Sequence, residues 1–390
     1  MPHEGARGAG GVPVKILHVR SSGGYYGAEA LIEGLARAQQ QAGDAVIVAG
    51  LVDRRWPHTE LIDRLEGRGV EVARLESGGR FDARLIGQLA KLARAVGAEI
   101  IHTHDYKTAL VGLAAAWAVG APAVATFHGE VSDTARVRAY EALARGVLRL
   151  YGGVALVSRA QASAFGDPFR RARPVFIPNG IDVDGFVVLI DGLRQDGSRE
   201  AWRRRLGIEP DAVVIATVGR LCSAKGQVAA SGEVFALLAR RPSAVWVLAG
   251  EGEDKEAVEV AAAEAGVGSQ VRLLGHVGDM ASLYAGIDVL LHPSEREGLP
   301  MVILEAMAAG LAIASSPVGE IPRVLEGDVG VLLQDREAGM GRALEALVDD
   351  GARRAAMGEL GRRRAAERYS VGRLAAQVRE GLYDPALGRR

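Results

Sequence analysis

Short apolar segments alternate with longer amphipathic segments along most of the 390 residues, and this alternation restricts the fold more than any other feature. The apolar segments of the first half are VKILHV, DAVIVAG, AEIIHTH, PAVATFH, GGVALVS and RPVFIPN, and those of the second half are AVVIATVGR, SAVWVLAG, QVRLLGHV, IDVLLHPS, LAIASSP and GVLLQD. Strands that alternate with helices predict parallel sheets with helices on both faces. We therefore expect an α/β fold with two doubly wound, Rossmann-like parallel-sheet domains that face a central cleft.

The alternation is interrupted between 186 and 200, where the sequence is FVVLIDGLRQDGSRE. This predicts an N-terminal domain at 14–185, a linker at 186–200 and a C-terminal domain at 201–369, preceded by a Gly-rich, disordered tail at 1–13. The longest uncharged run begins at Ala109 and contains Gly120 and Pro122. It predicts a buried helix followed by a strand, each too short to span a membrane.

The charge balance and the cysteine count argue against several classes of function. Lys and Arg total 47 and Asp and Glu total 48, so no excess of positive charge indicates a nucleic acid partner. The single cysteine, Cys222, excludes an internal disulfide and a cysteine-based metal cage, and it is typical of a reducing compartment. We expect a cytoplasmic protein.

The residues that follow the predicted strands are candidates for ligand binding, because doubly wound sheets bind ligands at the carboxyl ends of their strands. After the first strand, SSGGYYGA contains the paired glycines Gly23 and Gly24. Glycines here serve either a tight turn or the close approach of a phosphate to the start of the next helix. In the second half, GRLCSAKGQ places Arg220 and Lys225 on one short loop. The two cations either bind a diphosphate or are solvated on the surface.

The segment EREGLPMVILEAMAAG follows another predicted strand and predicts a helix at 299–309. Glu297 would then lie just before the helix, with the amides of Gly298 and Leu299 as donors at its start, and Glu305 would lie within it. Glu297 is either a ligand for sugar hydroxyls or a carboxylate that complements the helix dipole. Glu305 either holds two adjacent hydroxyls, such as those of a ribose, or is an exposed helix residue.

Taken together, these segments resemble the retaining GT-B glycosyltransferases of family 4, the group 1 glycosyltransferases of bacterial type. The matching segments follow the family's order and are GGYYGAE at 23–29, IIHTH at 100–104, TFHG at 126–129, IPNGID at 177–182, VGRL and AKG at 218–226, LAGEGED at 248–254 and HPSEREGLPMVILEAMAAG at 292–310. The last contains the family's pair of glutamates, Glu297 and Glu305. The resemblance implies the GT-B architecture and a nucleotide-diphosphate sugar as the donor substrate.

The resemblance also implies roles for single residues in the second half of the chain. Arg220 and Lys225 would bind the diphosphate and stabilise it as a leaving group, and Glu305 would bind the ribose. Glu297 would contact the transferred sugar, together with the amides of Gly298 and Leu299. His276, in LLGHV, would lie where the family's loop meets the base, mostly through its backbone.

In the first half, the resemblance implies that His128, in TFHG, lies beside the reacting centre and a sugar hydroxyl. Gly23 and Gly24 would approach the donor diphosphate, and Asn179 would shape the interdomain loop. The segment YSVGRLAAQVREGLY resembles the family's final helix, so residues 370–390 are expected to pack back on the N-terminal domain.

In this family, retention is commonly described as front-face substitution, in which the departing diphosphate draws the acceptor proton. Arg220 and Lys225 would then take the place of a divalent ion, so we expect no metal and no other cofactor. We also expect no metal site at His102 and His104, on the premise that alternate residues of a strand point to opposite faces.

The acceptor is expected to be a saccharide or a lipid-linked saccharide, in the synthesis of a cell-surface polysaccharide or glycolipid. The stretch TARVRAYEALARGVLRLYGG carries Arg136, Arg138, Arg145 and Arg149 among apolar residues. Such a helix either contacts an anionic membrane surface at its cytoplasmic face or is a solvated helix face.

Three alternative functions remain open. A sugar-nucleotide epimerase would share the twin sheets, but the two glutamates with the upstream Arg and Lys favour transfer. A nicotinamide-dependent dehydrogenase would need G-x-G-x-x-G, and SSGGYYGAE departs from that spacing. A non-catalytic nucleotide-binding subunit would have lost charged motif residues, and here all of them are present.

Overall fold

The computed structural model describes residues 12–21, 23–79, 82–128, 135–161, 174–334 and 339–389, with side chains given for all of these except 135–141. The chain divides into two compact units. The first unit comprises the residues up to Gly180 together with those from Val371 onward, and the second unit comprises Ile181–Ser370.

The first unit contains a parallel sheet with the strand order β3-β2-β1-β4-β5-β6-β7. Its strands are Lys15–Arg20 (β1), Ala45–Asp53 (β2), Glu71–Ser77 (β3), Ile100–Thr103 (β4), Ala123–Phe127 (β5), Gly153–Leu156 (β6) and Val175–Phe176 (β7). Its helices before the crossing to the second unit are Gly27–Gln41 (α1), Glu60–Glu66 (α2), Arg84–Val96 (α3), Tyr106–Val119 (α4) and Ala135–Leu148 (α5). The long uncharged run forms α4, which ends at Gly120 with φ +75°, and then β5, as the positions of Gly120 and Pro122 predict.

The second unit contains a parallel sheet with the strand order β10-β9-β8-β11-β12-β13. Its strands are Val213–Val218 (β8), Ala244–Ala249 (β9), Val271–Gly275 (β10), Val289–His292 (β11), Ala312–Ser315 (β12) and Val331–Leu332 (β13). Its helices are Val183–Gln195 (α6), Ser198–Arg205 (α7), Gln227–Arg240 (α8), Lys255–Glu264 (α9), Met280–Gly286 (α10), Met301–Ala308 (α11), Ile321–Val324 (α12), Met340–Asp349 (α13) and Gly351–Arg368 (α14). Each face of this sheet carries a core of buried aliphatic side chains. The predicted fold class of two doubly wound parallel sheets is confirmed.

The structure differs from the sequence predictions at the expected linker and at one strand. The stretch 186–200 is not a linker, because most of it lies in α6 and α7. Ile190 is fully buried in the core of the second unit. The apolar residues of FVVLIDGLRQ have the spacing of an amphipathic helix, which explains this burial. The strand β3 was not predicted, since its EVARLES sequence carries charges on a partly exposed edge. Of the tail predicted at 1–13, only Val12 and Pro13 lie within the described residues.

The C-terminal segment packs on the first unit. It contains the helix Val371–Val378 (α15), the π-helix Arg379–Tyr383 and the helix Asp384–Ala386 (α16), and α15 packs against α1. Leu374, Val378 and Leu382 are buried, and Nη1 of Arg379 lies 2.8 Å from Oδ1 of the buried Asp44. No helix within the described ranges is both long and apolar enough to cross a membrane.

Truncation of the chain after Ser370 is expected to unfold the first unit and to spare the second. The truncation removes the buried side chains of Leu374, Val378, Leu382 and Tyr383, each worth about 1.5–3 kcal/mol, which is comparable with the total stability of a domain. Hydrogen exchange measured by mass spectrometry should show rapid exchange of peptides from β1 and β4 and continued protection of β8 and β11. Full protection of β1 and β4 in the truncated chain would contradict this account.

Candidate active site

In the second unit, the sheet reverses its strand order between the neighbouring strands β8 and β11. In doubly wound sheets, this switch point is where ligands bind, at the carboxyl ends of the strands. The loop at 219–226 follows β8 and the loop at 293–300 follows β11, so the two loops that carry the predicted donor-binding residues leave the sheet side by side.

Lys225 and Glu297 form an ion pair between these loops. Nζ of Lys225 lies 2.6 Å from Oε1 of Glu297, and Nε2 of His292 lies 3.1 Å from the same oxygen. His292 is the last residue of β11 and is buried, whereas the side chain of Lys225 is 30% exposed. The side chain of Lys225 therefore contacts a carboxylate through its ammonium group and is partly exposed.

Backbone contacts hold the two loops together. Glu295 donates its N–H to the carbonyl of Ala224 at 2.9 Å, and Oγ of Ser294 donates to the same carbonyl at 3.1 Å. Gly226 has a φ of +72°, and a Cβ at this position would overlap the carbonyl oxygen of Pro293. Glycine is therefore required where the two loops cross.

The loop after β12 fixes the backbone that follows Glu297. Glu320 donates its N–H to the carbonyl of Gly298 at 2.9 Å, and a Cβ on Gly319 would overlap the carbonyl oxygens of Glu297 and Gly298. Gly298 and Leu299 thus lie immediately before α11, which begins at Met301 rather than at the predicted residue 299.

The charge of Glu297 is stabilised by its neighbours. Burial alone would raise the pKa of Glu297, but the hydrogen bond from His292 and the positive charge of Lys225 outweigh burial and lower this pKa to about 2. Because an ionised carboxylate only accepts hydrogen bonds, Nε2 of His292 must carry a proton and donate. Glu297 is therefore a preorganised carboxylate at neutral pH.

Glu305 lies in the middle of α11 and is held by one buried hydroxyl. Tyr284, which is fully buried, donates its hydroxyl to Oε2 of Glu305 at 2.6 Å. Burial raises the pKa of Glu305, and the hydrogen bond from Tyr284 partly opposes this shift. The side chain of Glu305 is only partly buried, so it is not the fully exposed helix residue that the sequence left as an alternative.

Arg220 and His276 also lie at the carboxyl end of the second sheet. Arg220 comes two residues after β8, and His276 directly follows β10 at the sheet edge; both side chains are exposed. All of the residues predicted for donor binding in the second half therefore lie at one end of one sheet or in the helix that follows it.

The first unit has its own switch point, between β1 and β4. Nη2 of Arg20 lies 2.8 Å from Oε1 of the buried Glu29, and Nη1 of Arg20 donates to the carbonyl of His104 at 2.8 Å. Ser21 donates its N–H to Oδ2 of Asp105 at 2.7 Å. These contacts tie the loop after β1 to the end of β4.

Gly23 and Gly24 lie in this loop. Gly24 is buried with a φ of +143°, a conformation that favours glycine, whereas Gly23 is exposed and nothing lies within 4 Å of a Cβ built on it. The local backbone thus requires a glycine at Gly24 for the turn. The approach of Gly23 and Gly24 to a diphosphate stays a prediction.

His128 follows β5 and borders a cavity of about 300 Å³ in the first unit. The polar residues that line this cavity include Arg20, Ser21, His104, Asp105 and Thr126. Nε2 of His128 lies 3.4 Å from Nδ1 of His104. Gly129, which completes the TFHG motif, lies outside the described residues.

The prediction that the side chains of His102 and His104 point to opposite faces of the sheet is wrong. Residues two positions apart on a strand point to the same face of the sheet, and the structure places these side chains together with His18 from the neighbouring strand. One ring nitrogen from each of His18, His102 and His104 lies within 4.8 Å of the others. The three rings are buried, so the first core contains a polar cluster that the sequence analysis did not predict.

Several residues of the two sites were missed from the sequence. His292 is the last residue of β11, Arg20 is the last residue of β1, and Asp105 comes two residues after β4. The rule that singled out the other residues, a position at the carboxyl end of a strand, applies to these as well. Glu29 lies within α1, where the GGYYGAE segment was the available signal.

Two family models match the chain. The model described as Glycosyltransferase Family 4 matches residues 25–184, and the model described as Glycosyl transferases group 1 matches residues 198–364. The second match falls within the second unit, and the first match falls in the first unit except for residues 181–184.

Similar proteins come from curated sequences and from solved structures. A phosphatidyl-myo-inositol mannosyltransferase of Mycolicibacterium smegmatis is 29% identical over 82% of this chain and 81% of that protein. A D-inositol 3-phosphate glycosyltransferase of Geodermatophilus obscurus is 29% identical over 61% of this chain and 56% of that protein. The crystal structure of Anabaena HepE in complex with UDP and glucose matches with a TM-score of 0.77 at 20% identity, covering 95% of this chain and 100% of that one. The matches favour sugar transfer over the epimerase and the non-catalytic subunit.

The ion pair at Glu297 should make the second unit sensitive to acid. Because the pKa of Glu297 is lowered to about 2 by folding, its contribution to stability is complete above the ordinary carboxyl pKa and is lost as pH falls toward 2. The difference in unfolding free energy between the protein and Glu297→Gln should shrink by about 2 kcal/mol from pH 6 to pH 3. Urea titrations across this range measure it, with the exposed Glu256→Gln as the control. A difference that stays constant with pH would contradict the assignment.

Proposed function

The chain belongs to the group 1 glycosyltransferases of family 4, and we propose that it transfers a sugar from a nucleoside-diphosphate sugar to a saccharide or lipid-linked acceptor, with retention of configuration and without a divalent metal. The observation that carries this proposal is the ion pair of Lys225 and Glu297 at the switch point of the second sheet. It places an accessible cation beside a carboxylate where a doubly wound sheet binds ligands.

In the proposed complex, the two members of this pair act on different parts of the donor. The ammonium group of Lys225 binds the diphosphate, with Arg220 from the same loop as the second cation. Glu297, which is ionised and accepts hydrogen bonds only, binds hydroxyls of the sugar. A donor that contains both a diphosphate and a sugar satisfies both groups, whereas a free nucleotide satisfies only the first.

Glu305 is proposed to bind the ribose. Tyr284 donates to one carboxylate oxygen at 2.6 Å and thereby fixes the orientation of the group. A carboxylate held in this way can accept from two adjacent hydroxyls. This contact is the same before and during reaction, so it contributes to binding rather than to the rate of the chemical step.

Retention is proposed to follow front-face substitution, as the family resemblance implies. The bond between the anomeric carbon and the diphosphate oxygen breaks, the acceptor oxygen attacks from the same face, and its proton passes to the departing diphosphate. Negative charge therefore grows on the diphosphate, and a cation held beside it stabilises the transition state more than the ground state. The chain contributes positive charge and positioning, and it contributes no proton carrier to this step.

The acceptor is proposed to be rich in hydroxyl groups and to bind in the first unit. The cavity of about 300 Å³ beside His128 offers a guanidinium at Arg20, a carboxylate at Asp105 and a hydroxyl at Thr126. The two curated relatives are named for inositol-containing acceptors, phosphatidyl-myo-inositol and D-inositol 3-phosphate. Inositol and its phosphate are thus the first acceptors to test.

Turnover of a donor panel in the presence of EDTA tests the proposal. UDP-, GDP- and ADP-sugars are each scored for thermal stabilisation of the protein, slow hydrolysis and transfer to an inositol acceptor. We expect one nucleotide class to stabilise the protein and its sugar to be transferred in EDTA, with the anomeric configuration retained by NMR. Inversion would contradict retention, activity lost in EDTA and restored by Mg²⁺ or Mn²⁺ would contradict metal independence, and binding without any turnover would contradict the enzyme.

Lys225→Ala separates the role of the cation from that of the ribose contact. It should lower kcat by roughly 10²- to 10³-fold, the scale of removing one preorganised charge-stabilising group, while the KM for the donor changes much less. Glu305→Gln should instead raise the KM for the donor and leave kcat nearly unchanged. Lys255→Ala, an exposed lysine of the same unit, is the control. A Lys225 effect confined to KM would contradict the proposed role in the transition state.

A further inference from the structure

Three buried or partly buried histidines of the first unit are joined end to end by their ring nitrogens. Nε2 of His128 faces Nδ1 of His104 at 3.4 Å, and Nε2 of His104 faces Nδ1 of His18 at 2.9 Å. Nε2 of His18 in turn faces Oε1 of Gln39 at 2.8 Å. This series of hydrogen bonds leads from the cavity at His128 into the core, because His18, His104 and Gln39 are each at most 2% exposed.

The same chain continues beyond Gln39. Nε2 of Gln39 donates to the hydroxyl of Tyr383 at 2.9 Å, and this hydroxyl lies 2.8 Å from Nδ1 of His102. Nε2 of His102 lies 2.9 Å from Oγ1 of Thr126. Seven side chains thus form one continuous series, which we call the histidine chain: His128, His104, His18, Gln39, Tyr383, His102 and Thr126.

All four rings of the histidine chain are neutral at physiological pH. Burial is the main cause that lowers the pKa of His18, to about 4, and of His128, to about 3, and the charge of Arg20 lowers that of His128 further. Burial and the neighbouring rings lower the pKa of His102 and His104 well below the usual range. A neutral imidazole has one donor and one acceptor nitrogen. A ring that donates a hydrogen bond through one nitrogen must therefore accept one through the other.

The amide of Gln39 sets that direction. Its Oε1 can only accept, so Nε2 of His18 donates to it and Nδ1 of His18 accepts. His104 must then donate from Nε2 and accept at Nδ1, and His128 must donate from Nε2. The structure places the other amide atom of Gln39, Nε2, against the hydroxyl of Tyr383, to which it donates. If one hydrogen bond of the series were reversed, with its donor and acceptor exchanged, all the other hydrogen bonds of the series would have to be reversed as well.

We propose that the histidine chain holds His128 in a single tautomer, with Nε2–H donated inward to His104 and Nδ1 unprotonated as a hydrogen-bond acceptor for a hydroxyl of a bound ligand. The inference rests on the proposed function for the identity of that hydroxyl. In this account, His18, Gln39 and Tyr383 are positioning residues: they touch no substrate and act on His128 through the chain.

The same rings could be considered for a metal, since nitrogens of His18, His102 and His104 lie within 4.8 Å of one another. In the structure, however, both ring nitrogens of His18 and both of His102 take part in hydrogen bonds. A metal would have to replace at least one of these bonds on each ring and would remove the contacts that fix Gln39. The hydrogen-bonded chain satisfies every buried ring nitrogen of His18, His102 and His104 without an ion.

Long-range ¹H–¹⁵N correlation spectra of the full-length protein with ¹⁵N-labelled histidine test the proposal directly, because protonated and unprotonated ring nitrogens have distinct shifts. We expect His18, His102, His104 and His128 to be neutral, with Nε2 protonated, from pH 6 to pH 8. Rings with Nδ1 protonated, mixed tautomers, or stoichiometric zinc that survives dialysis against EDTA would each overturn the proposal. This measurement needs no substrate, so it is independent of the proposed function.

Two variants test the effect on catalysis. Gln39→Met removes both amide contacts, and Tyr383→Phe removes the hydroxyl to which Nε2 of Gln39 donates. Each should give mixed tautomers at His128 and lower kcat about twofold, because the active tautomer falls to roughly half of the molecules once the bias toward it is lost, without changing the KM for the acceptor. Tyr151→Phe is the matched control: Tyr151 is also buried and hydrogen-bonded, to Ala109 and Thr103, but lies outside the histidine chain.

The outcomes separate a positioning role from a merely structural one. A structural role predicts that Tyr383→Phe and Tyr151→Phe change thermal stability and kcat alike, with the tautomer of His128 unchanged, and this result would overturn the proposal. Uniform tautomers in a protein that turns over no donor would contradict the proposed function and leave the histidine chain supported.

Discussion

The ion pair between Lys225 and Glu297 depends on two loops that meet at one point of the second sheet, and the proposed donor site depends on that pair. The loops leave the sheet side by side because β8 and β11 are neighbouring strands. They pack closely because Gly226 and Gly319 allow backbone contacts that any side chain would block. Once the backbones are fixed, Glu297 is held by His292 and Lys225 in its ionised form. The pair is 2.6 Å long and the side chain of Lys225 is partly exposed, which supports the proposal that it binds an anionic ligand.

The core of the first unit contains buried polar side chains, which must be uncharged or paired to be stable there. The sheet of this unit buries His18, His102 and His104, and burial of ionised rings would be costly. The rings are instead neutral and hydrogen-bonded in series, and the series includes Tyr383 from the C-terminal segment. The chain's last residues therefore complete both the apolar packing and the polar network of the first unit. This explains in physical terms why a segment so distant in sequence belongs to this unit.

The sequence predicted all the described strands except β3, and it predicted which strand ends carry the candidate site residues. It did not predict the contacts between side chains. All twelve apolar segments became strands, because the strands of a parallel sheet covered by helices are rich in apolar residues, whereas the charged edge strand β3 lacked that signal. The positions of Lys225 and Glu297 were predictable from the rule on strand ends and from the family resemblance. Their contact with each other and with His292 was not, because contacts across loops depend on the fold. The histidine cluster was dismissed through an error in strand geometry rather than through a lack of signal.

Lys225 is proposed to bind the diphosphate of the donor nucleotide, and Glu305 is proposed to bind its ribose. A crystal structure of the protein with the nucleoside diphosphate of its preferred donor tests this most directly. The account predicts that Nζ of Lys225 lies within hydrogen-bond distance of a diphosphate oxygen and that the carboxylate of Glu305 accepts from the ribose hydroxyls. A nucleotide bound with its diphosphate away from Lys225, or with its ribose away from Glu305, would contradict the account.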